Sequence, residues 1–302
     1  MPEGPEVRRY ADALEEIFSG QEIISVQART SVARQWLLEN GDRLIGRSIL
    51  RVISHGKHLL GFIKGNFYFH SHLMMWGRWL TFTSPASVEV DRRERARIEV
   101  ARGLAILRSA PIFNVGEGDP YEQIEHLSTL GPDVLPYKKS FDAAEFRRRL
   151  CSPGNRELPI GAALLNQQIV AGLGNYLRAE ILFSCGLNPW RQVSELTKAE
   201  IACLAKKVPE LARRAYLSGA TANEDERTRM KLEPALVYQP GREFGTRHLV
   251  FRRTNLPCLR CGEIVRQQRQ ATTNAPNEDR SRIVYFCPNC QSVKLQVQSK
   301  KA

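Results

Sequence analysis

Two Cys-x-x-Cys pairs near the C-terminus constrain the fold of this chain more than any other feature. Cys258 with Cys261, and Cys287 with Cys290, can together place four thiolates around one tetrahedral ion. Four thiolates leave no open coordination position, so the sequence predicts one structural Zn²⁺ that holds a β-hairpin too small to fold without it. The alternatives are chance pairing and a redox dithiol, and two matched pairs in a basic context disfavour both.

The positive charge is concentrated in the same region. Residues 242–302 carry 12 Lys or Arg against 4 Asp or Glu, a net +8 of the +12 of the whole chain. Uniform solubilisation would not cluster the charge, so a polyanion partner is indicated, and nucleic acid is the first candidate.

Several classes of protein are disfavoured. The N-terminal residues lack the apolar core of a secretion signal, and no apolar run approaches the roughly 18 residues of a membrane span. Cys151, Cys185 and Cys203 are scattered, which fits reduced thiols better than a disulfide framework. We therefore expect an intracellular, cytoplasmic, nucleoid-associated protein that is a monomer and has no membrane partner.

The pattern of apolar residues predicts an α+β chain of three domains. Residues 6–18 have helical spacing, and short strands are predicted at 23–28, 49–55, 59–63, 67–71, 98–101 and 104–107, with turns at Gly65-Asn66 and Arg102-Gly103. Residues 1–130 are thus predicted to form a helix followed by an antiparallel sandwich or barrel.

Beyond Leu130-Gly131-Pro132 the chain turns helical. Helices are predicted at 141–150, 160–168 and 175–183, and a long one starts at the Thr197–Glu200 capping box and ends near Gly219. Residues 221–245 read as an irregular linker, which gives a helical domain at 131–245 and a zinc module with a basic tail at 246–302.

Residues 166–176, NQQIVAGLGNY, place a Gly-rich turn between two helices. The N–H groups at a helix start bind phosphate oxygens, and Asn175 could add a side-chain contact. A turn that serves only helix packing is the alternative, so the segment alone does not distinguish DNA binding from a structural role.

The N-terminus offers a second chemical feature. Removal of Met1 would leave Pro2 as a secondary amine, which can attack a sugar C1′ and form an iminium ion. Glu3 could move protons to the sugar oxygen or the base, and Glu6 lies one turn further on. Taken alone, such a start is more often only the frayed end of a helix.

Together these motifs resemble the formamidopyrimidine-DNA glycosylase and endonuclease VIII family. MPEGPEVRR at the start, SHGKHLL with Lys57, LGPDVL at 130–135, NQQIVAGLGNYLRAEIL at 166–182 and the two Cys pairs occur in one order over nearly the whole chain. The PEGPE start and AGLGNYLRAEIL look closer to the endonuclease VIII branch. The resemblance implies an N-terminal β-sandwich with its helix, a helix-two-turn-helix domain and a C-terminal zinc finger.

The resemblance also implies roles for individual residues. Pro2 corresponds to the Schiff-base nucleophile, Glu3 to the general acid and Lys57 to the lysine that assists β-elimination. Asn175 corresponds to a phosphate ligand, and Arg282, five residues before Cys287, to the zinc-hairpin arginine that supports δ-elimination.

A flipped nucleotide leaves a gap in the DNA stack that side chains must fill. The wedge loop, residues 72–77, fits this task, with Met75 as the wedge beside Met74 and Trp76. Packing of these side chains in the sandwich core is an equal alternative. The chain departs from the endonuclease VIII branch, which usually has Gln at the position of Met74 and Arg at that of Thr129.

The predicted function is a base-excision DNA glycosylase and AP lyase that acts on damaged double-stranded DNA, with oxidised pyrimidines as the predicted lesions. One alternative is an oxidised-purine glycosylase. The other is a non-enzymatic zinc and helix-turn-helix protein, which would leave Pro2, Glu3 and Lys57 without a reason.

Overall fold

A computed structural model of the chain describes residues 2–83, 88–238, 245–272 and 281–293. The chain forms two compact units, Met1–Ser140 and Phe141–Ala302. Among the described residues, no helix combines the length and the apolar character that crossing a membrane requires.

The first unit begins with helix α1, Gly4–Phe18, which confirms the helix predicted for residues 6–18. Val7, Ala11, Leu14 and Phe18 recur every three or four residues and are all buried. Pro5 occupies the first turn, where its missing N–H costs no helical hydrogen bond. The apolar face of α1 therefore fixes the N-terminal residues relative to the core.

Among the described residues before 118, eight strands and one α-helix follow α1. They are β1 (Ile23–Ala28), α2 (Ser31–Asn40), β2 (Ile49–His55), β3 (His58–Ile63), β4 (Phe67–His72), β5 (Arg78–Phe82), β6 (Glu94–Val100), β7 (Gly103–Arg108) and β8 (Ile112–Glu117). The sequence predicted neither α2, β5 nor β8. Gly65 and Asn66, both at positive φ, form the predicted β3–β4 turn, whereas Gly103 already belongs to β7.

These strands form two antiparallel four-stranded sheets, β1-β6-β7-β5 and β2-β3-β4-β8. One apolar cluster joins side chains of both sheets and of α1, with Phe18, Phe69 and Phe113 among its aromatic members. This is the predicted antiparallel β-sandwich with its initial helix. The wedge loop connects β4 of one sheet to β5 of the other.

The second unit is helical and ends in a hairpin. Its elements are α4 (Ala143–Leu150), α5 (Ile160–Ala163), α6 (Asn175–Ser184), α7 (Lys198–Ser218), α8 (Glu224–Leu232), β9 (Arg266–Ala271) and β10 (Ser281–Phe286), and a short helix of the first unit, α3 (Pro120–Gln123), precedes them. The Thr197–Glu200 capping box starts α7, and Gly219 ends it in the left-handed conformation, as predicted.

Two predictions for this unit were wrong. The helix expected at 160–168 ends at Ala163, and Asn166 then turns the chain by accepting the Gln168 N–H on its side chain at 3.0 Å. Residues 221–245 were expected to be irregular, but Asn223 and Glu226 form a capping box that starts α8. Residues 239–244 of that stretch lie outside the described residues.

The cysteine prediction needs one correction. Cys185, at the end of α6, and Cys203, in α7, form a disulfide with a Cα–Cα distance of 5.9 Å. The packing of α6 against α7 brings together two cysteines that are 18 residues apart, which the sequence spacing could not reveal. Cys151 is a free, exposed thiol.

Candidate active site and metal centre

The N-terminal dipeptide lies directly before the first turn of α1. Glu3 is the N-cap, only 2% exposed, and its backbone N–H donates to a carboxylate oxygen of Glu6 at 2.9 Å. The two glutamates form a reciprocal capping box, and the other Glu6 oxygen pairs with Arg9 at 3.0 Å. Pro2 is therefore attached to a helix start that is held in place by hydrogen bonds.

Lys57 occupies the tight turn between β2 and β3, beside Gly56, which has a φ of +57°. His55 braces the turn on one side, since its ring nitrogens lie 3.2 Å from the Tyr121 hydroxyl and 3.2 Å from the Gly131 carbonyl oxygen. On the other side, the Gly56 N–H donates to the buried carboxyl of Asp133.

Asp133 belongs to the LGPDVL segment, which the sequence analysis used as a domain break and as part of the family resemblance without assigning Asp133 a role. Its carboxyl also accepts the N–H of Leu135 at 3.1 Å, and burial raises its pKa. Arg8 of α1 reaches the Leu135 carbonyl oxygen at 3.4 Å. An acidic residue inside a short apolar run was the sequence signal for this brace.

Three histidines lie on the same sheet as Lys57. Nδ1 of His58 is 3.0 Å from Nε2 of His70, the ring of His72 packs edge-on against that of His58, and Asn114 contacts His70 at 3.4 Å. Burial lowers the pKa of His58 to about 2 and that of His70 to about 4. Burial and the charge of Lys57 lower the pKa of His72 to about 4. All three rings are neutral at ordinary pH.

The wedge loop exposes the three side chains that the sequence analysis singled out. Met74, Met75 and Trp76 are 44%, 57% and 79% exposed, while Leu73 is buried. The alternative that these side chains pack in the sandwich core is therefore wrong. Thr129, the other departure from the branch pattern, is exposed and donates its hydroxyl to the His126 carbonyl oxygen at 3.2 Å.

The loop backbone is sharply folded. Met74 has a φ of 51°, its N–H donates to Nδ1 of His72 at 3.2 Å, and the Gly77 N–H donates to the Leu73 carbonyl oxygen at 2.8 Å. A Cβ on Gly77 would lie 2.4 Å from that same oxygen, so only glycine fits there.

In the second unit, Asn175 is the first residue of α6 and follows the Gly-rich turn. Gln167 braces that turn, because its side chain donates to the Leu165 and Leu173 carbonyl oxygens and accepts the Gly172 N–H. The Asn175 side-chain oxygen accepts a hydrogen bond from Arg178. This contact leaves the amide NH₂ group as the face that can donate to an anion.

Arg178 is a residue that sequence reasoning missed. It is completely buried and also donates to Gly161, Gln270 and the Ile283 carbonyl oxygen, the last at 2.8 Å. It thereby ties α6 to both strands of the hairpin. A charged residue on the apolar face of a helix was the available signal.

Arg282 lies on β10, the returning strand of the hairpin, and is exposed. It pairs in register with Gln270, whose side chain is buried and donates to the Pro189 carbonyl oxygen at 2.8 Å. Arg282 and Ile283 are neighbours, so the contact between Arg178 and Ile283 fixes the strand that carries Arg282.

The buried carboxylate of Glu180 is a second feature that the sequence did not single out. It accepts hydrogen bonds from the Thr221 hydroxyl and from the backbone N–H groups of Leu249, Val250 and Phe251, at 2.8–2.9 Å. Helix α6 therefore holds the segment that leads into the cysteine module.

Cys258, Cys261, Cys287 and Cys290 form the candidate metal centre. Their sulfur atoms all lie within 4.8 Å of one another, with Cys258 to Cys290 at 3.8 Å and Cys261 to Cys287 at 3.5 Å. Ligands about 2.3 Å from a tetrahedral ion are separated by about 3.8 Å, so this donor set fits such an ion. Cys258 and Cys287 also belong to the apolar core that includes Phe183 of α6.

Two family profiles match the chain. Residues 1–108 match the formamidopyrimidine-DNA glycosylase N-terminal domain, and residues 130–226 match the formamidopyrimidine-DNA glycosylase H2TH domain. These matches cover the sandwich except β8, and most of the helical part of the second unit.

Known proteins match over nearly the full length. Proteins named endonuclease 8 from Salmonella schwarzengrund and Klebsiella pneumoniae are 31% identical over 291 residues, which is 96% of this chain and 100% of each relative. Among solved structures, the complex of Lactococcus lactis Fpg with DNA containing an abasic site is similar with a TM-score of 0.73 and 24% identity, over 96% of this chain and 99% of the other. The complex of Lactococcus lactis Fpg with DNA containing N7-benzyl-Fapy-dG gives the same values.

Proposed function

The chain belongs to the formamidopyrimidine-DNA glycosylase and endonuclease VIII family and is a DNA glycosylase of base excision repair with AP lyase activity; from this premise we propose that it removes oxidised pyrimidines and cuts the strand by β,δ-elimination. Its proposed partner is damaged double-stranded DNA, on which it acts as a monomer.

The observation that carries the proposed chemistry is the position of Pro2 immediately before Glu3, the buried N-cap of α1. Once Met1 is removed, Pro2 is a secondary amine at the positive end of a helix dipole. That field disfavours the protonated amine and so favours the nucleophilic form.

The reaction starts at the sugar of a flipped nucleotide. The Pro2 nitrogen attacks C1′, the bond from C1′ to the base breaks, and the base leaves with a proton supplied by the Glu3 carboxyl. Opening of the sugar ring gives an iminium ion. Loss of a C2′ proton then breaks the C3′–O bond, a second elimination breaks the C5′–O bond, and water releases Pro2.

Other residues support these steps. Lys57, held by the braced β2–β3 turn, assists the first elimination and contacts a phosphate, and Arg282 assists the second. Asn175 donates its amide to the DNA backbone, while Glu6 holds the Glu3 backbone at the DNA-facing helix start. Met75 enters the gap left by the flipped nucleotide, flanked by Met74 and Trp76.

We propose that Zn²⁺ is the ion of the four-cysteine centre, because four thiolates in tetrahedral spacing are its preferred structural ligands. When bound, the ion supplies folding energy to the hairpin and takes no part in the reaction. Cys258, Cys261, Cys287 and Cys290 would hold it, and the hairpin would then present Arg282.

The oxidised-pyrimidine substrate is proposed from the resemblance to the endonuclease VIII branch, and relatives named endonuclease 8 are consistent with that branch. An oxidised-purine substrate is the second candidate, because similar folds have been solved with DNA that contains 8-oxoguanine or Fapy-dG. A panel of duplexes carrying thymine glycol, dihydrouracil, 8-oxoguanine or formamidopyrimidine separates the two. Faster excision of the purine lesions would overturn the pyrimidine assignment.

Borohydride trapping on a duplex with an abasic site tests the nucleophile. The wild-type protein should give a covalent adduct, which Pro2→Gly and a form that retains Met1 should both reduce strongly. An undiminished adduct with Met1 retained would show that another amine is the nucleophile.

A further inference from the structure

We propose that His72 is a positioning residue, which sets the conformation of the wedge loop through its Nδ1 atom and links that loop to the turn of Lys57. The inference rests on the proposed wedge function. It concerns how the loop is held, and it assigns His72 no step in the chemistry.

The loop needs such support because of its backbone. Met74 is a non-glycine residue at a φ of 51°, a left-handed conformation that L-residues with a side chain rarely adopt. The Met74 N–H lies outside the strands, and its hydrogen bond to Nδ1 of His72 at 3.2 Å gives it an acceptor. This hydrogen bond also turns residues 74–76 outward, while Leu73 stays buried.

The His72 ring is itself held in place by neighbouring histidine rings. His72 pairs in register with His58, and their rings pack edge-on with centroids 4.9 Å apart. His58 is fixed in turn by His70, at 3.0 Å between ring nitrogens. Rotation of the His72 ring would disturb this packed row of imidazoles, so the Nδ1 acceptor stays in place.

The same ring lies beside the candidate catalytic lysine. Lys57 precedes His58, the register partner of His72, and its charge contributes to the low pKa of His72. A neutral imidazole that accepts on Nδ1 carries its proton on Nε2. One side chain thus contacts the wedge backbone and neighbours the lysine turn.

Two isosteric substitutions test the role of the Nδ1 acceptor separately from that of the rest of the ring. The side-chain oxygen of His72→Asn can occupy the Nδ1 position, whereas the amide of His72→Gln reaches only the Nε2 position. His72→Ala removes both. Thermal unfolding of each full-length variant shows whether it folds, and if only His72→Ala fails to fold, the comparison of Asn with Gln remains decisive.

The readout is stopped-flow fluorescence of 2-aminopurine placed opposite an abasic site, together with single-turnover borohydride trapping. We expect His72→Asn to keep the insertion rate close to wild type, and His72→Gln and His72→Ala to slow it about tenfold, the scale of one lost hydrogen bond. A Gln variant equal to or faster than the Asn variant would overturn the proposal.

The experiment keeps the two hypotheses apart. If the wild-type protein forms no Pro2-dependent adduct, the proposed function fails. If the adduct forms and all three variants insert at the wild-type rate, only the positioning role of His72 fails. Met75→Ala serves as the control, because it should slow insertion without altering the backbone that His72 holds.

Discussion

The side-chain oxygen of Asn175 accepts a hydrogen bond from Nη2 of Arg178 at 2.5 Å, and the same guanidinium donates to the backbone of Ile283. One buried cation therefore orients the amide of Asn175 and fixes the strand that carries Arg282. The two candidate phosphate ligands of the second unit share a single support.

Asn175→Asp and Arg178→Met test this shared support. Asn175→Asp keeps the acceptor for Arg178 but replaces the outward NH₂ with a negative oxygen, so affinity for abasic DNA should fall while the thermal midpoint is preserved. Arg178→Met leaves several buried oxygens without a donor and should cost at least about 2 kcal/mol of unfolding free energy. Unchanged stability of Arg178→Met, measured by urea unfolding, would contradict the role of Arg178.

Glu3→Gln should separate base release from strand cleavage. The amide can still accept at the helix start but supplies no proton, so excision of a damaged base should slow by about 10² to 10⁴. Cleavage of a preformed abasic site has no base to protonate and should fall much less. Single-turnover assays on both substrates measure the difference, and equal losses would argue against the general-acid role.

Arg282→Ala should weaken δ-elimination and phosphate binding and leave base release near the wild-type rate. The salt slope of DNA binding should decrease by about 1, as expected for one lost phosphate contact. Arg269→Ala is a matched control, because Arg269 is exposed on the partner strand and bonds to Ser281. Equal effects of the two substitutions would indicate a general charge effect.

Removal of the metal should reduce DNA affinity by unfolding the hairpin. Cys261→Ser should lose the bound ion, measured by a chromogenic chelator, and should bind abasic DNA more weakly. Cys151→Ser removes an exposed thiol outside the cluster and should change neither quantity. Full affinity in a protein shown to be free of metal would mean that the hairpin does not contribute to binding.

Acid should destabilise the first unit through His58, His70 and His72. Burial lowers the pKa of His70 and His72 to about 4, below the value near 6.5 of an unfolded histidine. As the pH falls from 7 towards 4, the unfolded chain takes up protons that the folded rings resist, so stability decreases. The loss at pH 5 is about 2 kcal/mol for each such histidine.

Urea unfolding of the full chain at pH 7.5 and pH 5.0 measures this effect. The double variant His58→Leu/His70→Leu should show a smaller difference between the two pH values, whatever its absolute stability. An equally steep pH dependence in the double variant would assign the effect to other groups.

Regular amphipathic elements could be predicted from the sequence because one face of each is buried. The bounds of β1 and β2 were predicted correctly, and α1 and α7 were recognised from apolar spacing and capping. Helix α8 was missed because it buries only Met230 and so has almost no apolar face. Its capping box, Asn223 with Glu226, was the one local signal.

The grouping of the four cysteines could be predicted because it depends on residue type and order, whereas the roles of Pro2 and Glu3 remain predictions. The residues that hold the candidate site in place could not be predicted from the sequence. Arg178, Glu180 and Asp133 act through contacts with residues tens of positions away in the chain, and only the packed structure brings those partners together. The disulfide of Cys185 with Cys203 was missed for the same reason.

The brace from His55 to Gly131 and from Gly56 to Asp133 has a consequence for mutational scans. Substitution of Asp133 would remove the acceptor of the Gly56 N–H, release the turn of Lys57 and be scored as loss of activity, although Asp133 is not a proposed catalytic group. A mutational scan scored by DNA repair activity in cells would therefore make LGPDVL look like an active-site motif. Its residues would instead support the turn without taking part in the reaction. This role could be recognised because second substitutions that stabilise the turn would restore activity.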